Sequence, residues 1–163
     1  LIGGDTTRGP LNITITMIGI VESSKALTRS GARPGDGVYV SGSIGDAGFC
    51  FWKLSNGLVS SNQELKRLNC PIPRIELGLA LQNLENACID IYDGLEQDLY
   101  HNLKATSVGA VIEVKKIPIS EALPIHVNNT KGWSIPLCGN DDYELCFTIP
   151  EGKEEPIKIV SGT

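Results

Sequence analysis

The chain has 163 residues, of which 41% are hydrophobic and 20% charged, a composition typical of a folded globular domain rather than a disordered segment. Its formal net charge of −5 disfavours non-specific nucleic-acid binding, because such binders need a basic face to displace counterions from phosphates. The longest strongly apolar run, residues 13–21, is far shorter than the ~20 residues of a membrane-spanning helix. We therefore expect neither a nucleic acid nor a membrane as a partner.

The order of strand-like and helix-like segments predicts the fold class. Apolar and β-branched runs predict strands at residues 11–21, 38–41, 87–91, 108–117 and 142–149. Apolar spacing and capping residues predict helices at residues 47–58, 74–86 and 93–105, a short helix from Ser120, and a short helix or loop at residues 60–69. Because strands and helices interleave, the predicted class is α/β or α+β with a layered sheet.

A turn over Pro34, Gly35, Asp36 and Gly37 is the best candidate for a domain boundary. Residues 1–33 are then expected to be the end of a preceding domain, with the strand at residues 11–21 left over from it. Residues 34–163 are expected to form a second domain. The chain begins inside a motif and not at a methionine, so we interpret it as a fragment of a longer protein.

Five cysteines are scattered along the chain, and no pair has the C-x-x-C spacing of a zinc or redox site. They are Cys50, Cys70, Cys88, Cys138 and Cys146. Most are flanked by apolar residues. This pattern indicates buried, reduced thiols in a cytoplasmic protein.

The first candidate for chemistry is the segment GGDTTRG at residues 3–9. Its glycines let the backbone approach an anion closely, and the carboxylate of Asp5 can hold a hard cation. Arg8 offers a planar fork that suits a phosphate. The same residues also suit a tight turn before a strand, and both interpretations stay open at this point.

The second candidate is IDIYDGL at residues 89–95. Asp90 lies inside an apolar stretch, where a carboxylate is costly unless it is paired or binds a metal. Asp93 stands at the start of the predicted helix, where an N-cap role is the simple alternative. Two carboxylates that flank a strand-to-helix turn can face one cleft, and the helix N-terminus favours anions there. Asp98, within the helix, is expected on a solvated face.

The third candidate is the acidic turn GNDD at residues 139–142. It is either a solvated turn before the last strand or an acidic pair, Asp141 and Asp142, that binds a cationic part of a substrate. A further glycine-rich turn at residues 42–46 matches neither the Walker A spacing nor the dinucleotide fingerprint, which favours a plain strand-to-helix turn.

Six segments together carry a resemblance that none carries alone. They are LIGGDTTRG, LTRSGARPGD, VYVSGSIGDAG, PIPRIELG, IDIYDGLEQDL and GNDDYELCFTIP. In this order, over nearly the whole chain, they resemble the carboxyl-terminal part of thiamine-monophosphate kinases. That family belongs with aminoimidazole ribonucleotide synthetase and selenophosphate synthetase in one ATP-binding superfamily. The resemblance implies an α/β fold like the carboxyl-terminal domain of aminoimidazole ribonucleotide synthetase.

The resemblance also implies roles for single residues that hold two phosphate substrates and their metal. These are Gly4, Asp5, Arg29 and Tyr92 at ATP, Asp5, Asp90 and Asp93 at magnesium, and Asp141 at thiamine monophosphate. Catalysis is implied to depend most on Asp5 and Asp90. Two positions depart from the family pattern: Tyr92 replaces the usual serine, and Asn140 replaces a common glycine.

The implied activity is a magnesium-dependent, direct transfer of the γ-phosphoryl group of ATP to thiamine monophosphate, which yields thiamine diphosphate. The implied complete protein is a cytoplasmic homodimer. The fragment alone is expected to be inactive, since the family's other metal ligands precede it. Two alternatives remain: another ATP-dependent synthetase of the same superfamily, or a non-catalytic nucleotide-binding domain.

Overall fold

Three of the five predicted strands form one antiparallel sheet. The computed structural model describes residues 9–82, 84, 86–121, 123 and 132–153. Strands β1 (Gly37–Val40) and β2 (Ala87–Ile91) flank the central strand β3 (Glu144–Ile149), and each pairs with β3 in antiparallel register. The ends of β1 and β2 and the start of β3 therefore lie at the same end of the sheet.

Five α-helices and one short 3₁₀ helix accompany this sheet in the described part of the chain. The helices are α1 (Asp46–Ser55), α2 (Asn62–Asn69), α3 (Ile75–Leu81), α4 (Leu95–Thr106) and α5 (Ser134–Cys138), and the 3₁₀ helix is Val114–Lys116. The predicted mixture of helices and strands is confirmed. Helix α2 settles the alternative left open for residues 60–69, because Ser61 and Glu64 form a capping box at its start.

Apolar side chains gather in two clusters that use alternate residues of the strands. The first contains Ile89 and Ile91 of β2 with Leu95 and Leu99 of α4, and Cys146 of β3. The second joins residues of β2 and β3 to α3; its buried members are Leu77, Leu81, Cys88, Phe147 and Ile149. Burial of apolar side chains against α4 and α3 is thus what fixes the sheet in place.

Two predicted strands are not formed. Residues 11–21 have no regular secondary structure, and their apolar side chains are exposed; Ile18 and Ile20, for example, are 94% and 104% exposed. Residues 108–117 contain only the 3₁₀ turn, although Ile112 and Ile117 do pack on the first cluster. A strand needs a neighbour to take up its backbone hydrogen bonds, and neither segment pairs with a strand of the described sheet.

The helix predictions differ from the structure mainly at their ends. The helix predicted at residues 74–86 stops at Leu81, and most of the short helix predicted from Ser120 lies outside the described residues. Among the residues that the structure describes, none of the helices combines the length and the apolar character needed to cross a bilayer.

Candidate functional site

Three loops meet at the end of the sheet where β1 and β2 finish and β3 begins. We call them the β1–α1 turn (residues 41–45), the β2–α4 turn (residues 92–94) and the β3 entry loop (residues 139–143). The backbone N–H of Ser41 donates to the carbonyl of Leu145 (3.0 Å). The N–H groups of Asp141 and Tyr143 donate to the carbonyls of Tyr92 (3.0 Å) and Ile91 (2.9 Å). The two loops that carry the predicted aspartates are therefore joined directly by their backbones.

Three carboxylates among the sequence-predicted site residues lie at this end of the sheet. Asp90 is the penultimate residue of β2, Asp93 belongs to the β2–α4 turn, and Asp141 to the β3 entry loop. Neither the carboxylate of Asp90 nor that of Asp93 accepts a hydrogen bond from the described part of the chain, so both are available to a ligand. The structure thus brings together carboxylates that are far apart in the sequence.

Asp90 differs from its expected setting, because its side chain is exposed and not buried. Its neighbours Ile89 and Ile91 point into the first apolar cluster, so the strand alternation turns Asp90 to the opposite face. The sequence suggested a metal here because a buried carboxylate is costly without a partner, and this argument does not apply to an exposed Asp90. What remains is the exposed carboxylate beside the loops.

Asp93 is not the N-cap of α4. Gly94 takes that position with φ 103° and no side-chain cap. A Cβ on Gly94 would lie 2.9 Å from both the Cα of Cys138 and the carbonyl oxygen of Leu137, so the turn packs directly on the α5 backbone. The glycine lets α4 start against α5 and leaves the Asp93 side chain uncommitted.

Asp98 was expected on a solvated face, and this expectation is wrong: its side chain is only 4% exposed. One carboxylate oxygen, Oδ2, accepts the backbone N–H groups of Tyr92 (2.8 Å) and Asp93 (2.9 Å). Side chains in a helix lean toward its N-terminus, where a negative charge is also favoured. Asp98 therefore shapes the β2–α4 turn from within the helix that follows it.

Replacing Asp98 with alanine should destabilise the protein by about 1–3 kcal/mol, because two backbone N–H groups lose their acceptor. The free energy of unfolding in urea is the measurement. Gln97→Ala, on the exposed face of the same helix, is the matched control and should change it by less than about 0.5 kcal/mol. Equal effects of the two substitutions would contradict the assigned role of Asp98.

Tyr92 lies on the outer surface of the β2–α4 turn and is 48% exposed. Its ring packs against the ring of Tyr143, with centroids 5.6 Å apart and planes tilted by 49°. The Tyr143 hydroxyl lies 3.4 Å from Oδ1 of Asp141, and burial together with the negative charge of Asp141 raises the pKa of Tyr143. Two phenol rings thus stand beside the candidate carboxylates.

Two acidic residues of this region, Asp142 and Glu144, are buried, and the sequence motifs did not predict this. Asp142 is fully buried, so Asp141 and Asp142 do not form an outward-facing acidic pair. Glu144, 1% exposed, accepts hydrogen bonds from Arg67 (2.7 Å) and Arg74 (2.5 Å) and also from the hydroxyl of Ser41. The hydrogen bond from Arg74 to Glu144 raises the pKa of the guanidinium. The alternation D-x-E leading into an apolar strand is the signal that points to inward carboxylates.

The remaining sequence-predicted residues lie elsewhere. Arg29 is exposed, on the segment whose Thr28 carbonyl accepts the N–H of Cys88, and it forms no ion pair with any residue the structure describes. Gly4 and Asp5 lie outside the described residues. The structure accordingly brings together Asp90, Tyr92, Asp93 and Asp141, but not Arg29.

The described residues do not form a metal centre from their own side chains. Across residues 9–153, excluding 83, 85, 122 and 124–131, no group of three or more His, Cys, Asp and Glu side chains could hold a metal ion. Magnesium, however, commonly uses one or two carboxylates together with substrate phosphates and water. Asp90 and Asp93 suit that second mode, in which the ion arrives with a nucleotide.

A cleft of about 750 Å³ opens beside the β2–α4 turn. Asp93 and Asn140 stand on its rim, and its wall is apolar, with Leu95, Leu99, Ile112 and Leu137. The thiol of Cys138, also on the rim, donates to Glu96 (Sγ to Oε2, 3.4 Å). Burial and this carboxylate raise the pKa of the thiol, so Cys138 is a poor nucleophile.

Solved structures of thiamine-monophosphate kinases are similar to this chain in fold and in sequence. The thiamine-monophosphate kinase of Stenotrophomonas maltophilia K279a matches with a TM-score of 0.80 and 32% identity over 87% of this chain and 48% of that chain. AaThiL complexed with AMPPCP and TMP matches with a TM-score of 0.69 and 31% identity over 80% of this chain and 43% of that one. The hydrogenase maturation protein HypE shares the fold alone, with a TM-score of 0.67 and 21% identity over 87% of this chain and 43% of its own.

Curated relatives with the same description are more similar to this chain in sequence. The chain is 44% identical, over 99% of its length, to 51% of the thiamine-monophosphate kinase of Escherichia coli K12. It is 43% identical, over 98% of its length, to 50% of that of Haemophilus influenzae Rd. No family model matches the chain. The predicted resemblance to thiamine-monophosphate kinases is confirmed, and the chain spans about half the length of these relatives.

Proposed function

We propose that the protein containing this chain transfers the γ-phosphoryl group of ATP to thiamine monophosphate and so forms thiamine diphosphate. The observation that carries the proposal is the 44% identity over 99% of the chain to a thiamine-monophosphate kinase. The clustering of Asp90, Asp93 and Asp141 at one end of the sheet supports it. The substrates named for AaThiL, a nucleotide analogue and TMP, agree with it.

The proposed roles divide between the two joined loops. Asp90 and Asp93, together with Asp5, hold magnesium, and Asp141 contacts the phosphate of thiamine monophosphate. The nucleotide lies against Gly4, Asp5, Arg29 and Tyr92. Asp5 and Asp90 carry most of the catalytic effect.

The chemistry of this transfer needs charge compensation more than proton transfer. A phosphate monoester has a second pKa near 6, so the attacking oxygen is anionic at neutral pH and requires no general base. The obstacle is repulsion between two anions, which costs about 4 kcal/mol per pair of unit charges about 4 Å apart at an effective dielectric of 20. Magnesium supplies the compensating charge. The carboxylates of Asp90 and Asp93 position that charge, and direct in-line transfer follows.

The wider organisation belongs to the same proposal. Residues 1–33 end an amino-terminal domain, and residues 34–163 form a layered α/β domain of the aminoimidazole ribonucleotide synthetase type. The complete protein is a cytoplasmic homodimer. All five cysteines are free: Cys50, Cys88 and Cys146 are buried as expected, whereas Cys70 and Cys138 are exposed, so the expectation of buried thiols is wrong for these two.

The test uses the complete protein, purified and supplied with magnesium-ATP and thiamine monophosphate. Formation of thiamine diphosphate with stoichiometric ADP is the expected result. Phosphorylation of a different acceptor would favour another synthetase of the superfamily. Nucleotide binding without any turnover would instead identify a non-catalytic domain, and either outcome would reject the proposal. The chain ending at residue 163, assayed alone, should show no turnover.

Tyr92→Ser in the complete protein should leave the affinity for ATP unchanged or raise it. The Tyr92 ring packs against Tyr143 at the surface. A phenol hydroxyl lies several ångströms farther from the backbone than a serine hydroxyl, so Tyr92 cannot make the contact with ATP that a serine would make at this position. Titration with magnesium-ATP, followed by calorimetry, measures the effect, and Tyr100→Ser on exposed α4 is the control. A tenfold weaker affinity in Tyr92→Ser alone would show that this phenol itself binds the nucleotide.

A further inference from the structure

We infer that Asp142 is a positioning residue for the phosphate acceptor: it anchors the β3 entry loop to the first turn of α1 and thereby fixes the place of Asp141. The inference rests on the proposed function, in which Asp141 contacts thiamine monophosphate. Asp142 itself is buried and does not touch substrate.

The anchor consists of two backbone hydrogen bonds. One carboxylate oxygen of Asp142, Oδ2, accepts the N–H of Gly45 (2.5 Å), and the other, Oδ1, accepts the N–H of Ala47 (3.2 Å). These N–H groups belong to the start of α1, where the helix itself supplies no acceptor. Both carboxylate oxygens therefore accept hydrogen bonds from N–H groups that have no acceptor within the helix.

The loop that Asp142 anchors has an uncommon backbone. Asp141 and Tyr143 adopt φ values of 70° and 53°, in the left-handed region that non-glycine residues seldom occupy. Such conformations cost about 1–3 kcal/mol each and persist only when neighbouring contacts hold them. The alternation of the three residues sends Asp142 inward and leaves Asp141 and Tyr143 facing the β2–α4 turn. Release of Asp142 would let both neighbours relax.

The charged surroundings of Asp142 come from each element that packs on it. Arg67 of α2 lies 3.9 Å from Oδ1 and is shared with Glu144 of β3, which Arg74 also binds. Asp46 of α1 adds a like charge. Burial is the dominant cause that raises the pKa of Asp142 to about 6, against the lowering effects of the two N–H groups and Arg67. Asp142 is therefore ionised above neutral pH, when both oxygens can accept.

Asp142→Asn is the informative substitution, because it keeps the shape and replaces one acceptor by an NH₂ donor. That donor would oppose the N–H of Gly45 or Ala47, so one of the two anchoring bonds must break. Asp46→Asn is the matched control in the same turn. Its carboxylate accepts from the hydroxyls of Ser43 (2.7 Å) and Ser120 and forms no hydrogen bond with the described residues of the β3 entry loop.

The experiment compares steady-state kinetics of the complete protein with both substitutions. Asp142→Asn should raise the KM for thiamine monophosphate at least tenfold at pH 8 and leave the KM for ATP within twofold. Asp46→Asn should change neither KM by more than twofold. An equal loss on both substrates, or none, would overturn the inference.

Hydrogen exchange on the wild-type protein keeps the inference testable should Asp142→Asn fail to fold. Protection of the Asp141 and Tyr143 amides, corrected for intrinsic exchange, should rise at least fivefold between pH 7.5 and pH 5, because the pKa of Asp142 is raised in the anchored loop and protonation therefore favours the anchored state over the open one. Protection in the middle of β3 should not change. Unchanged protection at both loop amides would reject the anchor. A wild-type protein that lacks kinase activity but shows this exchange pattern would instead reject only the proposed function.

Discussion

Asp90→Asn in the complete protein should fold normally and lose about 10²-fold or more of its magnesium-dependent turnover. The expected fold is unchanged because Asp90 is exposed and accepts no hydrogen bond within the described chain. The asparagine keeps the shape and one oxygen but removes the charge that attracts magnesium. Loss of one well-placed electrostatic group in an active site typically costs about 10²–10³ in turnover.

Steady-state kinetics at several magnesium concentrations measure this effect, with thermal unfolding as the check on folding. Part of the lost activity should return at high magnesium, since a weakened site is filled by mass action. Glu113→Gln is the matched control, because Glu113 is an exposed carboxylate whose ion pair, among the described residues, is with nearby Lys116. Near-normal turnover of Asp90→Asn at limiting magnesium would rule out the metal role.

Gly94→Ala should destabilise the protein by roughly 2–6 kcal/mol, which is a large effect for the addition of one methyl group. A backbone at φ 103° and ψ 151° is accessible mainly to glycine, and forcing another residue there costs about 1–3 kcal/mol. The added Cβ would also lie 2.9 Å from backbone atoms of Leu137 and Cys138, which cannot rotate away. Overpacking of this kind costs about 1–3 kcal/mol more.

Unfolding in urea, followed by circular dichroism, measures the change. Gly78→Ala is the matched control, because a Cβ there meets no atom within 4 Å and the residue lies inside α3. That substitution should stabilise the protein by up to about 1 kcal/mol, since alanine is the better helix former. If both variants unfold alike, the turn does not depend on the close approach of α5.

Strand β2 and helix α4 were predictable because both follow from local patterns. The apolar run at residues 87–91 matches the observed strand at both ends, and the helix predicted at residues 93–105 is displaced by only one or two residues. Residues 11–21 have the same β-branched character and form no strand. The difference is a partner: β2 pairs with β3, whereas residues 11–21 pair with no strand of the described sheet. Pairing is a property of the whole fold and cannot be deduced from one segment.

The candidate site shows the same limit at the level of single side chains. The motifs identified Asp90, Asp93 and Asp141 correctly as neighbours of a strand-to-helix turn or a strand start. They gave no sign that Asp98 is a buried anchor, because a carboxylate in a polar stretch normally faces solvent. For Asp142 the sign was its alternation with Glu144 ahead of the apolar strand. Burial here depends on which backbone N–H groups a neighbouring turn leaves without an acceptor. Those groups come from α1 and the β2–α4 turn, up to 97 residues away in the sequence.

The β3 entry loop should tolerate no insertion or deletion of a single residue. Side chains alternate between the two faces through Asp141, Asp142, Tyr143 and Glu144, so a shift by one residue would exchange the inward and outward sets. Arg67 and Arg74 would then lose their acceptor, and a tyrosine would be driven into their place. The length of the β3 entry loop is therefore fixed, because a change by one residue exchanges inward and outward side chains. The exposed link between α1 and α2 is under no such constraint.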